Sequence, residues 1–360
     1  MASIIDYATQ GSRIFLTSWR NRLLKKCYEG TANEICKKVV EDCWNGRYFQ
    51  VSTGNFSQFW TRDFGWSTQS LVKLGFEKEV HKTLRYAINN FKIHNKITVA
   101  LTPNGKPFDF PTVAVDSLPW LIHSIKISKF SYHSNKPFLN LQIKKFYSEM
   151  INPQTGLVKP EEHFSSIKDL AIRKSSCYDN CVVAMLANDL KGMKLYNPFN
   201  KFDYADLIKR HFWSGEFFHD DLQKKDYISG DANLFPFILG IISDKEMMQK
   251  SIEAIEKEEL DNPFPLKYTT SRKGINFIWE EIFLRNYESS AIWMHTGPLY
   301  VKLLQRIDAK KARQHKKTYG LLIEKHGNFL EVFNEKGKPF STPFYYCDSG
   351  MLWAANYLTL

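Results

Sequence analysis

Hydrophobic residues recur along most of the chain at the spacing of an amphipathic helix, and the alternation that is typical of strands is scarce. The pattern predicts twelve helices, which are separated by loops rich in Pro, Gly and Asn. Their predicted ranges are 20–44, 68–74, 77–93, 117–127, 136–151, 178–190, 204–212, 232–242, 244–258, 289–305, 309–326 and 349–358. We therefore expect an all-α protein.

Acidic residues stand at or just before alternate predicted helices. Their consecutive spacings are 53, 63, 52, 57 and 60 residues, and they are Asp63, Asp116, Asp179, Asp231, Glu288 and Asp348. A repeat of this length is typical of stacked supersecondary units that share a core. Taken singly, each acid could be an ordinary helix N-cap. Taken together, they predict six helical hairpins, arranged either as an open solenoid or as a closed ring with carboxylates at one mouth.

Helices on one side of each hairpin are the more apolar ones, for example CVVAMLA at 181–187 and LFPFILGII at 234–242. Helices that are hydrophobic all round are buried, so we expect these to form an inner layer. Six hairpins fill the 360 residues as a single domain, with residues 1–18 as an N-terminal extension.

Composition and charge exclude several classes of protein. The chain has 49 Lys and Arg against 38 Asp and Glu, a net charge of +11, but the basic residues are spread in short groups without a nucleic-acid-binding motif. The longest apolar run, 234–242, is too short to span a bilayer, and the N-terminal residues lack the apolar core of a signal peptide. We expect a cytoplasmic protein that binds neither nucleic acid nor membrane.

The sequence favours neither a metal site nor a disulfide scaffold. Cys177 and Cys181 have no His or Cys pair nearby, and the group of His211, His219 and Asp220/Asp221 matches no known metal-ligand spacing. We therefore expect no metal and no cofactor.

The densest group of candidate binding residues is GNFSQFWTRDFGW, at 54–66. It places Arg62 and Asp63 among aromatic rings, ahead of a predicted inner helix. Such a pair can hydrogen-bond the hydroxyls of a sugar while a ring covers its C–H face. A structural ion pair under a loop explains the same residues equally well.

FWTRD resembles the W-x-R-D signature of the six-hairpin glycosidases, which include glucoamylases, neutral and alkaline invertases, trehalases and debranching enzymes. Four further segments resemble family motifs in the same order, and they are VAVDSLPWLIHSI (113–125), SGDANLFPF (229–237), NYESSAIWMHTGPLY (286–300) and NFLEVFNEKGKPFSTPFYYCDSGMLWAANYL (328–358). The resemblance covers roughly residues 45 to 360 and implies an (α/α)6 toroid that acts as a glycoside hydrolase.

The resemblance also implies the site residues. The catalytic Glu of the family pattern falls on Glu331, and the family's acid precedes its sixth helix, where Asp169 stands. For substrate binding, the resemblance implies that Arg62 and Asp63 hold the terminal sugar. We also expect contacts from Asp116 and Asp179, stacking walls from Trp60, Trp120 and Trp293, and a contact from His295, for which a structural role is nearly as good an explanation.

Glycoside hydrolysis requires two carboxyl groups, one of which donates a proton to the leaving oxygen. We select Asp169 as this general acid, because apolar neighbours such as Phe164 and Ile167 would favour its protonated form. Asp179 is the rival, but a helix cap position favours its ionised form. Glu161 and Glu162 are weaker rivals, which we expect to be solvated.

Asp169 and Glu331 are 162 residues apart, close to three of six hairpin steps, so a closed ring would set them on opposite sides of its mouth. That arrangement suits an inverting hydrolase with Glu331 as general base, acting on an α-linked glucoside from its non-reducing end. A phosphorylase on the same fold and a helical-repeat binding protein without chemistry remain as alternatives.

Overall fold

The computed structural model describes residues 4–360, and side chains from residue 9 onward. Thirteen α-helices lie in this part of the chain. They are α1 (Ile4–Leu23), α2 (Ala32–Asp42), α3 (Thr61–Lys73), α4 (Glu77–Ile93), α5 (Ser117–Ile127), α6 (Lys136–Met150), α7 (Cys177–Lys191), α8 (Tyr204–Phe212), α9 (Gly230–Ile238), α10 (Lys245–Lys257), α11 (Gly297–Leu304), α12 (Ala309–His326) and α13 (Ala354–Leu358).

Six of these helices form a closed inner ring. Each packs against the next in the order α3, α5, α7, α9, α11 and α13, and α13 returns to pack against α3. The helices α4, α6, α8, α10, α12 and α2 form the outer layer, each against an inner helix. The predicted all-α (α/α)6 toroid is confirmed, and the open solenoid is wrong because the first and last inner helices touch.

Burial separates the two layers as their sequences indicate. In α7 only Asn188 and Lys191 escape burial, whereas α12 buries only Ala312, Tyr319 and Ile323. The inner helices also approach one another closely. A Cβ at Gly65 of α3 would meet the Trp120 side chain of α5 at 2.6 Å, so this crossing requires a residue without a side chain.

The predicted ranges 77–93, 117–127, 204–212 and 309–326 agree with the observed helices. The range 20–44 is wrong, because a loop separates α1 from α2. Gly30 has a φ of +126°, and Thr31 then caps α2 in a capping box with Glu34. The predicted helix 289–305 begins too early, since Ile292 and Trp293 form a strand and α11 starts at Gly297.

Seven strands of two residues each tie the loops together at the mouth of the ring. They are β1 (Phe59–Trp60), β2 (Ala100–Leu101), β3 (Pro107–Phe108), β4 (Ala171–Ile172), β5 (Asn276–Phe277), β6 (Ile292–Trp293) and β7 (Val332–Phe333). All the pairs are antiparallel, in the order β1-β2-β3, β4-β5 and β6-β7. The last pair sets Trp293 opposite Val332 and so brings the segment 286–300 beside Glu331.

Helix α1 lies against the loops of the mouth. Ser18 Oγ donates to the carbonyl of Tyr346, Asn21 Nδ2 donates to Asp348, and Arg22 donates to the carbonyl of Thr342. Residues 1–3 of the predicted N-terminal extension lie outside the described residues. Among the helices described, none combines the length and the apolar character needed to cross a membrane.

Candidate active site

A cavity of about 430 Å³ opens where the inner helices begin. Its volume falls within the range of small-molecule sites. Seven of the ten predicted site residues line it, and they are Trp60, Arg62, Asp63, Asp169, Trp293, His295 and Glu331. The ring closure that unites the six hairpins therefore brings both predicted catalytic carboxyl groups to one cavity.

Arg62 joins two carboxylates at the floor of this cavity. It is buried in the first turn of α3, its Nε donates to Asp116 at 2.6 Å, and its Nη1 and Nη2 donate to Asp169 at 3.2 and 2.9 Å. Burial works against the charged form of Arg62, but the two carboxylates outweigh it and raise the pKa of the guanidinium. The Arg62 side chain is thus fixed by two bonded carboxylates.

Asp63 lies beside Arg62 and has different surroundings. It is buried, and its Oδ1 accepts a hydrogen bond from Trp353 Nε1 at 3.1 Å. Burial raises the pKa of Asp63 to about 7, although Arg62 acts in the opposite direction. Near neutral pH, Asp63 can therefore either donate to or accept from a substrate hydroxyl.

Glu331 is buried in a cage of hydrogen-bond donors. Tyr287 Oη donates to one carboxyl oxygen, while Tyr345 Oη (2.6 Å) and the Asp348 backbone N–H (2.8 Å) donate to the other. Burial raises the pKa of Glu331 to about 7, with Asp348 adding to the effect and the two tyrosine hydroxyls opposing it. A carboxyl group in this state can accept a proton at neutral pH.

Asp169 lies across the same cavity on a loop that is anchored on several sides. Its carboxylate accepts from Ser165 Oγ as well as from Arg62. The neighbouring Lys168 is fully buried, and its Nζ lies 2.7 Å from Asp220 and 3.0 Å from Asp231. The immediate partners of Asp169 are thus charged and polar, which corrects the expectation of an apolar environment from Phe164 and Ile167.

Glu288 holds the backbone of this loop. Its carboxylate accepts from the N–H groups of Asp169 (2.8 Å), Leu170 (2.7 Å) and Ala171 (3.0 Å). Burial and the nearby Asp169 charge raise the pKa of Glu288 to about 8, although three N–H donors favour the ionised form. Glu288 also lines the cavity.

His295 contributes a polar atom with no partner among the described residues. The ring is buried, stacks on Trp66 at a centroid distance of 4.5 Å, and its Nε2 lies 3.0 Å from Tyr268 Oη. Burial, with the Arg62 charge, lowers the pKa of His295, so the ring is neutral at pH 7. Its Nδ1 is left for a ligand, because a buried polar atom without a partner is costly.

Three predicted contact residues do not line the cavity. Asp116 lies beneath it against Arg62, and Tyr178 Oη donates to Asp116 at 3.0 Å and accepts from Trp120 Nε1 at 3.1 Å. Trp120 and Asp116 are therefore placed to support Arg62.

The third of these residues, Asp179, is buried and accepts from Ser166 Oγ. Two expectations about it were wrong. The N-cap of α7 is Ser176, and its hydroxyl accepts from the Asp179 N–H at 3.0 Å. Burial raises the pKa of Asp179, whereas a helix-cap position was expected to favour its ionised form. Glu161 and Glu162 are exposed, as expected.

Sequence reasoning missed Tyr287, Tyr345 and the anchoring role of Glu288. The two tyrosines have no local signal, since they stand 44 and 14 residues from the carboxylate they contact. Glu288 was visible only as a member of the acidic series. Within residues 4–360, no cluster of three or more His, Cys, Asp or Glu side chains is arranged to hold a metal ion, and the six cysteines are free.

No protein-family model and no curated protein matches the chain. Several solved structures do match the chain. A glycosidase in complex with glucose is 9% identical over 91% of this chain and 95% of its own (TM-score 0.68), and a glucoamylase from Hormoconis resinae is 8% identical over 91% and 72% (TM-score 0.62).

A rhamnosidase from Klebsiella oxytoca with rhamnose bound is 10% identical over 93% of this chain (TM-score 0.62), and the match spans 65% of the rhamnosidase chain. At these identities the likeness establishes a common architecture. The chain therefore has the six-hairpin fold found in these glycosidases.

Proposed function

We propose that this chain is an inverting glycoside hydrolase that releases a terminal glucose from α-linked glucosides. Asp169 acts as the general acid and Glu331 as the general base. One observation carries the proposal: two carboxyl groups with different surroundings line one cavity, beside an Arg–Asp pair and several aromatic rings. Glycoside hydrolases use a pair of carboxyl groups at the scissile bond, one as acid and one as base.

Glu331 takes a proton from the attacking water. Tyr287 and Tyr345 orient its carboxylate, and their hydrogen bonds favour the ionised form against the effect of burial. Arg62, Asp63 and His295 bind the hydroxyls of the terminal sugar, whose C–H face packs on Trp60 or Trp293. Asp169 accepts hydrogen bonds from Arg62 and Ser165 as a carboxylate, so it must take up a proton and release one of these bonds before it can protonate the leaving oxygen.

The substrate is tested by glucose release from maltose, isomaltose, trehalose, sucrose and glycogen in phosphate-free buffer. We expect release without phosphate, and nuclear magnetic resonance should detect β-glucose first, because inversion of an α-linkage gives the β-anomer. Release of sugar 1-phosphate only when phosphate is added would favour a phosphorylase. Failure to cleave any glycoside would refute the proposal.

The catalytic roles are separated by Asp169→Asn and Glu331→Gln, each of which should lower kcat on the natural substrate about 10²- to 10⁴-fold. With α-glucosyl fluoride, whose leaving group needs no protonation, only Asp169→Asn should recover activity. Glu335→Gln is the matched control, since Glu335 is exposed and only four residues from Glu331. Recovery by Glu331→Gln and not by Asp169→Asn would reverse the two roles.

A further inference from the structure

Polar and apolar groups are separated along the depth of the cavity. The charged floor consists of buried side chains, including Arg62, Asp63 and Glu331. At the outer end, Phe15, Phe283 and Phe344 line the cavity while 41%, 39% and 49% of their surfaces stay exposed. A ligand that fills the cavity would therefore meet polar groups at its inner end and rings at its outer end.

The apolar mouth continues beyond the cavity as one surface. The rings of Phe283 and Phe344 are 5.1 Å apart, and Trp279 lies 5.8 Å from Phe283. Thr342 Oγ1 donates to the Phe283 carbonyl at 2.9 Å, which joins the two loops that carry these rings. Ile282, next in sequence, is 72% exposed. Trp279 and Ile282 extend this surface beyond the residues that line the cavity, and Ile282 has no ring to stack on a sugar.

Among the described residues, the polar lining outside the charged floor consists of Gln10, Gln58 and the half-buried Glu280, and the two glutamines are bonded to each other. Gln58 Nε2 donates to Gln10 Oε1 at 2.6 Å, and Arg13 Nε donates to the same oxygen at 3.1 Å. A sugar in the leaving-group position would need polar partners for its hydroxyls, because a hydroxyl that loses water without a partner is penalised. Apolar patches at a cleft on a soluble protein mark binding sites.

We infer that the mouth binds an apolar leaving group, and that the substrates are glycosides of a long alkyl chain, the chemistry of a glycolipid. The inference rests on the proposed function. The sugar occupies the floor between Asp169 and Glu331, and the alkyl chain of the substrate lies along Phe283, Phe344 and Ile282. Hydrolysis adds water across the glycosidic bond, so the products are the free sugar and the alcohol.

The chain-length dependence of hydrolysis tests the inference. We compare kcat/KM for methyl, butyl, hexyl and octyl α-glucosides, all below micellar concentrations, with that for maltose. Each methylene that is buried should raise kcat/KM about two- to fourfold. A flat series, a preference for maltose over octyl glucoside, or a preference for phenyl over octyl glucoside would overturn it.

A matched pair of variants locates the effect. Ile282→Ser and Ile93→Ser remove the same exposed side chain, since Ile93 is 77% exposed on the outer helix α4. Ile282→Ser should lower the octyl-to-methyl ratio of kcat/KM severalfold, and Ile93→Ser should leave that ratio unchanged. If the octyl-to-methyl ratio is equal in the two variants, the alkyl chain of the substrate does not bind at Ile282.

Binding separates failure of this inference from failure of the hydrolase proposal. Glu331→Gln should bind octyl α-glucoside at least about tenfold more tightly than methyl α-glucoside in calorimetry. That result, together with no turnover of any glycoside by the unsubstituted protein, would keep the apolar site and reject hydrolysis. Equal affinities, with or without turnover, would reject the apolar site.

Discussion

At the scale of single residues, the environment of Glu331 decides what it can do. Burial disfavours the ionised form of Glu331, and three hydrogen-bond donors favour it, so that the pKa of Glu331 is raised only to about 7. The sequence identified Glu331 through a motif but not its cage, because Tyr287 and Asp348 reach it only when distant loops meet. A side-chain pKa depends on such neighbours, and a local motif does not contain them.

Tyr345→Phe tests this environment. The Tyr345 hydroxyl favours ionised Glu331, so its loss should raise the pKa of Glu331 further above its usual value. If Glu331 is the base, the acidic limb of the kcat/KM profile then moves to higher pH. Tyr346→Phe, with its hydroxyl outside the Glu331 cage, should leave the limb in place. A shift to lower pH for Tyr345→Phe would contradict the assigned role.

At the scale of elements, the loop that carries Asp169 shows what several hairpins build together. Lys168 bonds Asp220 and Ser229, Glu288 holds three backbone N–H groups, and β4 pairs with β5. Each of these groups comes from a different part of the chain. Such anchoring fixes the backbone around Asp169, which lines the cavity.

Lys168→Ala tests how much this anchoring contributes. It removes the amine from between two buried carboxylates, Asp220 and Asp231, so we expect the free energy of unfolding to fall by about 3–5 kcal/mol. Lys26→Ala breaks the exposed pair with Asp42 and should cost less than about 1 kcal/mol. Urea unfolding followed by tryptophan fluorescence measures both, and equal losses would contradict the buried role of Lys168.

Some helices and strands follow from the local sequence pattern, and others depend on contacts between distant segments. The outer helix α4 begins and ends where its amphipathic pattern predicts, because one apolar face is enough to define it. The segment before α11 was predicted to be helical, yet Ile292–Trp293 pairs with Val332–Phe333. That pairing joins residues about 40 apart in the chain, and tertiary context overrides local propensity there.

At the scale of the whole molecule, closure of the ring buries carboxyl groups from every hairpin. Burial raises the pKa values of Asp63, Asp116, Glu288 and Glu331 to about 7, 6, 8 and 7. A carboxyl group with a raised pKa in the folded state stabilises the fold at low pH, and this contribution disappears as the pH rises through the raised value. Burial lowers the pKa of His295, so this residue reduces the stability of the fold when the pH falls below the ordinary histidine value of 6.5.

We therefore expect the free energy of unfolding to fall by about 2 kcal/mol or more between pH 6 and pH 8. In this range the unfolded carboxylates are already ionised, while the folded ones still lose protons. Urea titrations at several pH values measure the slope, and Glu331→Gln should make it shallower. A stability that rises across the window would show that the buried carboxyl groups are ionised throughout.

The amino-acid sequence alone predicted the six helical hairpins and the acidic residue at the start of four inner helices, because these follow from local periodicity and spacing. Glu288 and Asp348, the other two acids of the series, stand nine and six residues ahead of α11 and α13. It also marked the candidate carboxyl groups Asp169 and Glu331 through a family motif. Only the tertiary structure decided that the ring closes, that Arg62 bonds Asp169, and that tyrosines surround Glu331. These contacts join residues far apart in the chain, and burial, which sets their energies and proton affinities, exists only in the folded molecule.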